Sequence, residues 1–137
     1  MRVFFDSSAL AKRYVAEDGT DEVLAWCERA DELVIAVIAV PELVSAFRRL
    51  QRERRITEAQ YLGLKGDLMA DLADAVVIDT SPQVVQRAVH ALQTHPLRAM
   101  DAIHVAAALV CDAEAFVSAD PRQCQAAMRL GLNVIAL

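Results

Sequence analysis

Five short apolar runs punctuate this chain, and helical patterns fill the intervals between them. They are Val3 to Phe5, Leu33 to Ala36, Ala75 to Ile78, Ala115 to Val117 and Asn133 to Ala136. Strands that alternate with helices must run parallel, and a parallel sheet has to be covered on both faces. The pattern therefore predicts a three-layer α/β/α fold around a five-stranded parallel sheet. At 137 residues the chain suits one domain, residues 1–137, long enough to bury a full core without disulfides or structural zinc.

The helical intervals carry their own punctuation. Asp6-Ser7-Ser8 ends the first strand at a helix cap, and a helix is expected from Ser8 to Val15. A second begins at Thr20 with Val23, Leu24 and Cys27 on its apolar side. Pro41 suits the first position of a third, striped by Leu43, Phe47 and Leu50. Thr57 caps a helix to Ala73 that shows an apolar face of Ala59, Leu62 and Leu72. Ser81-Pro82 starts another, with Val84, Val85, Ala88, Val89 and Leu92, which stops before His95-Pro96. Ala99 to Cys111 carries a stripe of Met100, Ile103, Ala107 and Val110, and Pro121 to Leu130 ends at Gly131.

Composition narrows the functional classes. Hydrophobic residues make up 55% of the chain, high for a small soluble domain, so some apolar surface should meet a partner, in an oligomer or an obligate complex. A formal net charge of −5 argues against a nucleic-acid coat that binds by overall positive field. Against that background FRRLQRERR gathers Arg48, Arg49, Arg52, Arg54 and Arg55. Such a run reads as a solvated helix face helped by Glu53, as a ridge that contacts phosphate, or as a docking face for an acidic partner segment. Cys27, Cys111 and Cys124 are far apart and make no CxxC pair, so they read as buried thiols in a reducing cytosol. Asp6 interrupts the apolar start, which speaks against a signal peptide. The runs Leu33 to Pro41 and Val105 to Cys111 fall short of the ~20 residues that span a bilayer, so no membrane association is expected.

Four carboxylates, Asp6, Glu42, Asp101 and Asp120, each stand where an apolar segment gives way to a turn or a helix start. Singly each is an ordinary turn or first-turn residue. Together they suggest one acidic pocket, because strand ends on one edge of an α/β sheet converge where ligands bind. Two carboxylates about 5 Å apart repel by roughly 3 kcal/mol at an effective dielectric near 20. A cation would relieve that conflict, and so would protonation of one partner. An all-oxygen donor set selects a hard cation, and Mg2+ or Mn2+ suits a few carboxylates plus waters. Ser8 and Ser118 could orient a carboxylate, or simply cap a helix and solvate a strand end. Arg98 could contact phosphate or be a surface charge. His104 reads as a packed or hydrogen-bonded structural residue.

The segments VFFDSSALAKRY, AVPELVSAFRR, LRAMDAIHVAAAL and FVSADPRQCQAAMRLGLNVIAL resemble the PIN-domain ribonucleases, and within them the VapC-like toxins of prokaryotic toxin–antitoxin pairs. The resemblance runs nearly the full length. It implies a cytoplasmic, Mg2+- or Mn2+-dependent endoribonuclease that acts as a toxin, forms a homodimer, and is restrained by an antitoxin whose tail occupies the active-site groove. It places the catalytic, metal-binding acids on Asp6, Glu42, Asp101 and Asp120; the donor chemistry then suggests Asp6 and Asp101 for the principal ion, with Glu42 and Asp120 completing its outer coordination or a second site. The resemblance puts supporting hydroxyls on Ser8 and Ser118. Attack on phosphorus would be in line, with loss of a ribose 3′ oxygen. Arg48, Arg49, Arg52 and Arg98 are the candidate contacts to RNA or antitoxin. Pro121 after the fourth acid departs from the polar residue common in relatives.

Other readings part from this one at specific residues. A receiver domain needs a lysine at the last strand edge, yet the lysines here are Lys12 and Lys65. A haloacid-dehalogenase-type phosphatase wants a second Asp two residues after the first, and position 8 is Ser. A non-catalytic PIN-fold module that binds RNA or protein is the remaining alternative, and retention of all four acids weighs against it.

Overall fold

The computed structural model describes residues 1–137. Its strands are β1 (Arg2–Phe5), β2 (Glu32–Ala36), β3 (Val76–Ile78), β4 (Ala115–Ser118) and β5 (Val134–Ala136). Its helices are α1 (Ser7–Tyr14), α2 (Thr20–Arg29), α3 (Ala39–Arg52), α4 (Glu58–Asp74), α5 (Pro82–Thr94), α6 (Ala99–Val110) and α7 (Pro121–Arg129). All five strands are parallel in the order β3-β2-β1-β4-β5, as expected. β1 is central, with Phe4 level with Val34 on one side and Phe116 on the other.

Alternation along the strands builds two cores, one on each face. Phe4, Val34, Ala36 and Phe116 point to a layer made by α5, α6 and α7, where Val84, Ala88, Ala106 and Ala127 meet them. Phe4 stacks on Phe116 with centroids 5.6 Å apart. Val3, Phe5, Ile35, Ala115 and Val117 point the other way, to Leu10, Val23, Leu43, Phe47 and Leu68 from α1 to α4. β1 and β4 are buried on both faces, which is why their sequences are continuously apolar.

Three expectations need correction. α3 begins at Ala39, so Pro41 lies third in the helix, still within the first turn where its missing N–H leaves no bond unmade. α4 buries Tyr61 and Leu68, whereas Leu62 is 55% exposed, because the helix rolls to lay its tyrosine on α3. α6 is buried nearly all round through its alanines, Val105 and His104, and Met100 from the expected stripe is exposed. On the first face, α5 leaves Val85, Val89 and Leu92 exposed at i, i+4 and i+7.

Away from the sheet, Asp71 of α4 takes Arg13 Nε at 2.7 Å, Arg13 Nη2 at 3.0 Å and the Tyr14 hydroxyl at 2.7 Å. This cluster ties α4 to the end of α1. The Arg13 guanidinium holds the Asp71 carboxyl below the usual carboxylate range, against partial burial. The cysteines are free thiols, each pushed up by burial.

Candidate active site

The four acids stand at helix starts that follow the C-terminal ends of strands or lie beside them. Asp6 caps α1, accepting from Ala9 N–H at 2.8 Å. Glu42 lies in the first turn of α3, after β2. Asp101 is the third residue of α6 and accepts from the Arg98 backbone N–H at 3.2 Å. Asp120 caps α7 after β4, accepting from Arg122 N–H at 2.9 Å. The positive end of a helix dipole therefore meets each carboxylate and favours its charge by about 0.3–1 kcal/mol apiece.

Asp6 is fully buried. Ser8 Oγ lies 2.8 and 2.9 Å from its two oxygens, and Ser118 Oγ donates to Oδ2 at 2.6 Å. Backbone N–H groups fix those donors: Ala119 N–H donates to Ser8 Oγ, and Asp120 N–H to Ser118 Oγ, both at 3.0 Å. With its lone pairs so engaged, each hydroxyl turns its single proton toward the carboxylate. Ser8 and Ser118 thus both touch Asp6. Burial still pushes the Asp6 carboxyl above its ordinary range, and the hydrogen bonds from Ser118, Ala9 and Ser8 offset only part of that rise.

Asp101 and Asp120 share one cleft of about 370 Å³ with Arg98, Pro121 and Arg122. The second oxygen of Asp101 accepts from Gln123 Nε2 at 3.2 Å, a link from α6 to α7. Glu42 borders a separate hollow with Pro41, Ser45 and Met100, the residue before Asp101. Its Oε1 receives Ser7 Oγ at 2.8 Å and His104 Nε2 at 2.6 Å. Burial alone would raise Glu42, but His104 and Ser7 more than reverse it, leaving the carboxyl below its ordinary range. The sequence reading had no place for Ser7 or Gln123 in the site and took His104 as structural. Ser7 beside Ser8, directly after a strand-ending Asp, was the one local signal available.

The arginines divide. Arg98 lines the cleft, joined by Arg122, which sequence reasoning did not single out. Arg48, Arg49 and Arg52 occupy the other end of α3, roughly 9–15 Å along the helix axis from Glu42 at about 1.5 Å per residue. There Arg48 lies 4.6 Å over the Tyr61 ring and Arg49 is 3.6 Å from Glu53.

Asp6, Asp101 and Asp120 form no direct ion pair with Lys, Arg or His, although Arg98 and Arg122 line the cleft that holds Asp101 and Asp120. The donors are oxygens, and the one nearby histidine is committed to Glu42. This set fits a hard divalent ion. No three Asp, Glu, His or Cys side chains close into a ready cage. Any ion here would be held by fewer than three of them, with waters or substrate phosphate supplying the rest, as Mg2+ sites commonly are.

Comparison with known proteins follows the same lines. A model of the PIN domain matches residues 3–128. The Mycobacterium tuberculosis proteins Ribonuclease VapC45 and Ribonuclease VapC49 are each 30% identical to the chain over 107 residues, 78% of this chain and 74% of theirs. Among solved structures, Mycobacterium tuberculosis VapC20, a toxin that cleaves the sarcin–ricin loop, superposes with a TM-score of 0.72 at 12% identity, covering 98% of this chain and 99% of that one. FitAcB from Neisseria gonorrhoeae gives 0.71 at 14% identity, covering 97% and 96%. At such identities the structural likeness speaks for the fold.

Proposed function

The chain belongs to the PIN-domain family, and from that premise we propose that it is a VapC-type ribonuclease, the toxin of a toxin–antitoxin pair, hydrolysing RNA phosphodiester bonds. The observation that carries the reading is the buried Asp6 carboxyl, which no Lys, Arg or His side chain pairs. It is buried at the end of β1 beside β4, held by two oriented serine hydroxyls, and joined through Ser118 to the loop that sets Asp120 in the cleft. A carboxylate kept dry without a cation is costly, and such groups cluster where chemistry needs them.

Mg2+ or Mn2+ would be held by Asp6 and Asp101, with Glu42 and Asp120 completing its surroundings. When bound, such an ion would orient the scissile phosphate and lower the pKa of a water. The chain's own groups do the rest. Ser8 and Ser118 hold Asp6 in one orientation. Arg98 and Arg122 offer the positive charge that a chain of net −5 otherwise lacks at its cleft, and so receive the RNA backbone. Asp120 or Glu42 accepts a proton from the attacking water.

The remaining parts of the reading follow from the resemblance and the surface. Residues 1–137 act as a single PIN domain in the cytoplasm, where the three thiols stay reduced. No helix is long and apolar enough to cross a membrane. The exposed Val85, Val89 and Leu92 supply apolar surface for a homodimer, and an antitoxin covers the groove. A toxin–antitoxin complex from Klebsiella pneumoniae among the structural neighbours supports that partnership.

The test is cleavage of a total RNA pool by the purified chain, freed of partner, with Mg2+, with Mn2+ and with a chelator. Wild type should cut only with the ion, and Asp6→Asn should not cut. Wild type that binds RNA yet never cuts it would leave a non-catalytic binding module in its place.

A further inference from the structure

We propose that His104, together with Ser7, is a positioning residue for Glu42: the two side chains clamp one carboxylate oxygen and leave the other free for the reaction. This deepens the ribonuclease reading and rests on it.

The geometry is asymmetric. Glu42 Oε1 receives two donors, while no protein donor reaches Oε2. Ser7 Oγ and His104 Nε2 are 3.2 Å apart and converge on the same atom. An ionised carboxylate only accepts, so the imidazole must carry a proton on Nε2, and the serine proton points to Oε1 as well. A glutamate with three rotatable bonds is thereby held in one orientation, with one oxygen unengaged and its side chain 34% exposed.

His104 is well placed to impose this. It is 1% exposed, set edge-on to Phe4 at 6.4 Å, and lies one turn after Asp101 on a helix buried nearly all round. Asp101 and His104 are three residues apart, about 4.5 Å along the axis. α6 therefore carries one candidate acid directly and fixes a second, on α3, through its imidazole.

Packing alone does not account for the residue. His104 Nδ1 is buried without a protein partner, a cost that leucine or methionine at the same place would avoid. The cost is understood if the residue is retained for Nε2, which reaches Glu42 across 62 positions of sequence.

The experiment compares His104→Gln, His104→Asn, His104→Leu and Ser7→Ala in the purified chain, with Asp101→Asn and Glu42→Gln as references. Glutamine carries its amide near the Nε2 position and keeps the donor, whereas asparagine reaches only to Nδ1. His104→Asn and His104→Leu should lose about 10–100-fold in kcat, the range for groups that orient a working side chain, with KM for RNA little changed. His104→Gln should restore most of the loss. Ser7→Ala, which leaves the core intact, should lose part of it. His104→Leu added to Glu42→Gln should cost little more than Glu42→Gln alone, since the two act as a unit.

A second readout needs neither ion nor RNA. In the metal-free protein, proton–nitrogen NMR should show a downfield Nε2–H signal from His104 that moves in Glu42→Gln. Equal losses in the Gln and Asn variants, or wild-type cutting by His104→Asn and Ser7→Ala beside a dead Asp101→Asn, would overturn the clamp and leave the ribonuclease standing. Undiminished cutting by both Asp101→Asn and Glu42→Gln would remove the site itself.

Discussion

Ser118 Oγ donates to Asp6 Oδ2 at 2.6 Å, joining the end of β4 to the end of β1 across 112 positions of sequence. It is the shortest of the contacts that hold the buried carboxylate, and its proton is aimed by the Asp120 N–H. Ser118→Ala should destabilise the fold by about 2 kcal/mol, within the range for a hydrogen bond to a charged group. Urea denaturation at neutral pH checks it. Ser118→Thr keeps the hydroxyl and should lose much less.

Asp6→Asn should stabilise the chain while abolishing cleavage. The folded-state pKa of Asp6 lies above its ordinary value, so the folded protein takes up a proton more readily than the unfolded one. Stability therefore falls as pH rises through that raised value, and the asparagine variant escapes the fall. A gain of about 0.5–2 kcal/mol is expected at neutral pH, as is common when a functional site is relieved of strain. It should shrink toward zero in acid, where Asp6 is protonated anyway. A lower urea midpoint for the variant at neutral pH would show that the serine donors outweigh the burial.

Asp71→Asn should cost about 2 kcal/mol at neutral pH, between the ranges for exposed and for buried pairs, since both partners are only partly exposed. The sign is opposite to that of Asp6. Arg13 holds the Asp71 carboxyl below its ordinary value of 3.8, so the contribution is full above that value and disappears as pH falls below it. Thermal melts of the two proteins should converge in strong acid.

Mg2+ or Mn2+ should raise the unfolding midpoint of the wild type. An ion present at 100 times its dissociation constant adds about 2.7 kcal/mol if it binds the folded state alone. A chelator should reverse the rise, and Asp6→Asn and Asp101→Asn should show little of it.

Arg98→Ala and Arg122→Ala should each weaken RNA binding and flatten its salt dependence. One lost phosphate contact removes about 0.7 from the slope of log affinity against log salt for single strands. Arg49→Ala and Arg52→Ala should leave that slope unchanged, because those residues lie at the far end of α3. Titrations of a catalytically dead variant at several salt concentrations separate the two pairs.

Much of the architecture was legible in the sequence because strand runs and caps are local signals. Thr57 and Ser81 cap their helices as expected, and each strand begins within a residue or two of its apolar run. What failed was the choice of buried face on α4, where apolar residues are spread round the helix and only contact with α3 selects Tyr61 and Leu68. The four acids were recognisable by position, and Asp101 and Asp120 do share a cleft. Their partners were not recognisable. Ser7 meets Glu42 across 35 positions and Gln123 meets Asp101 across 22, and no periodicity encodes such meetings. Nor does local pattern separate a carboxylate on a cleft wall from one buried at a strand end, which is the difference between Asp101 and Asp6.

The central place of β1 sets an order of events in folding. Its flanking strands are drawn from residues 32–36 and 115–118, so β1 is not enclosed until a segment far along the chain has folded back to pair with it. Until then Asp6 has neither its cover nor Ser118. The buried carboxyl and the loop that sets Asp120 are therefore completed in one late step of folding, when β4 docks beside β1.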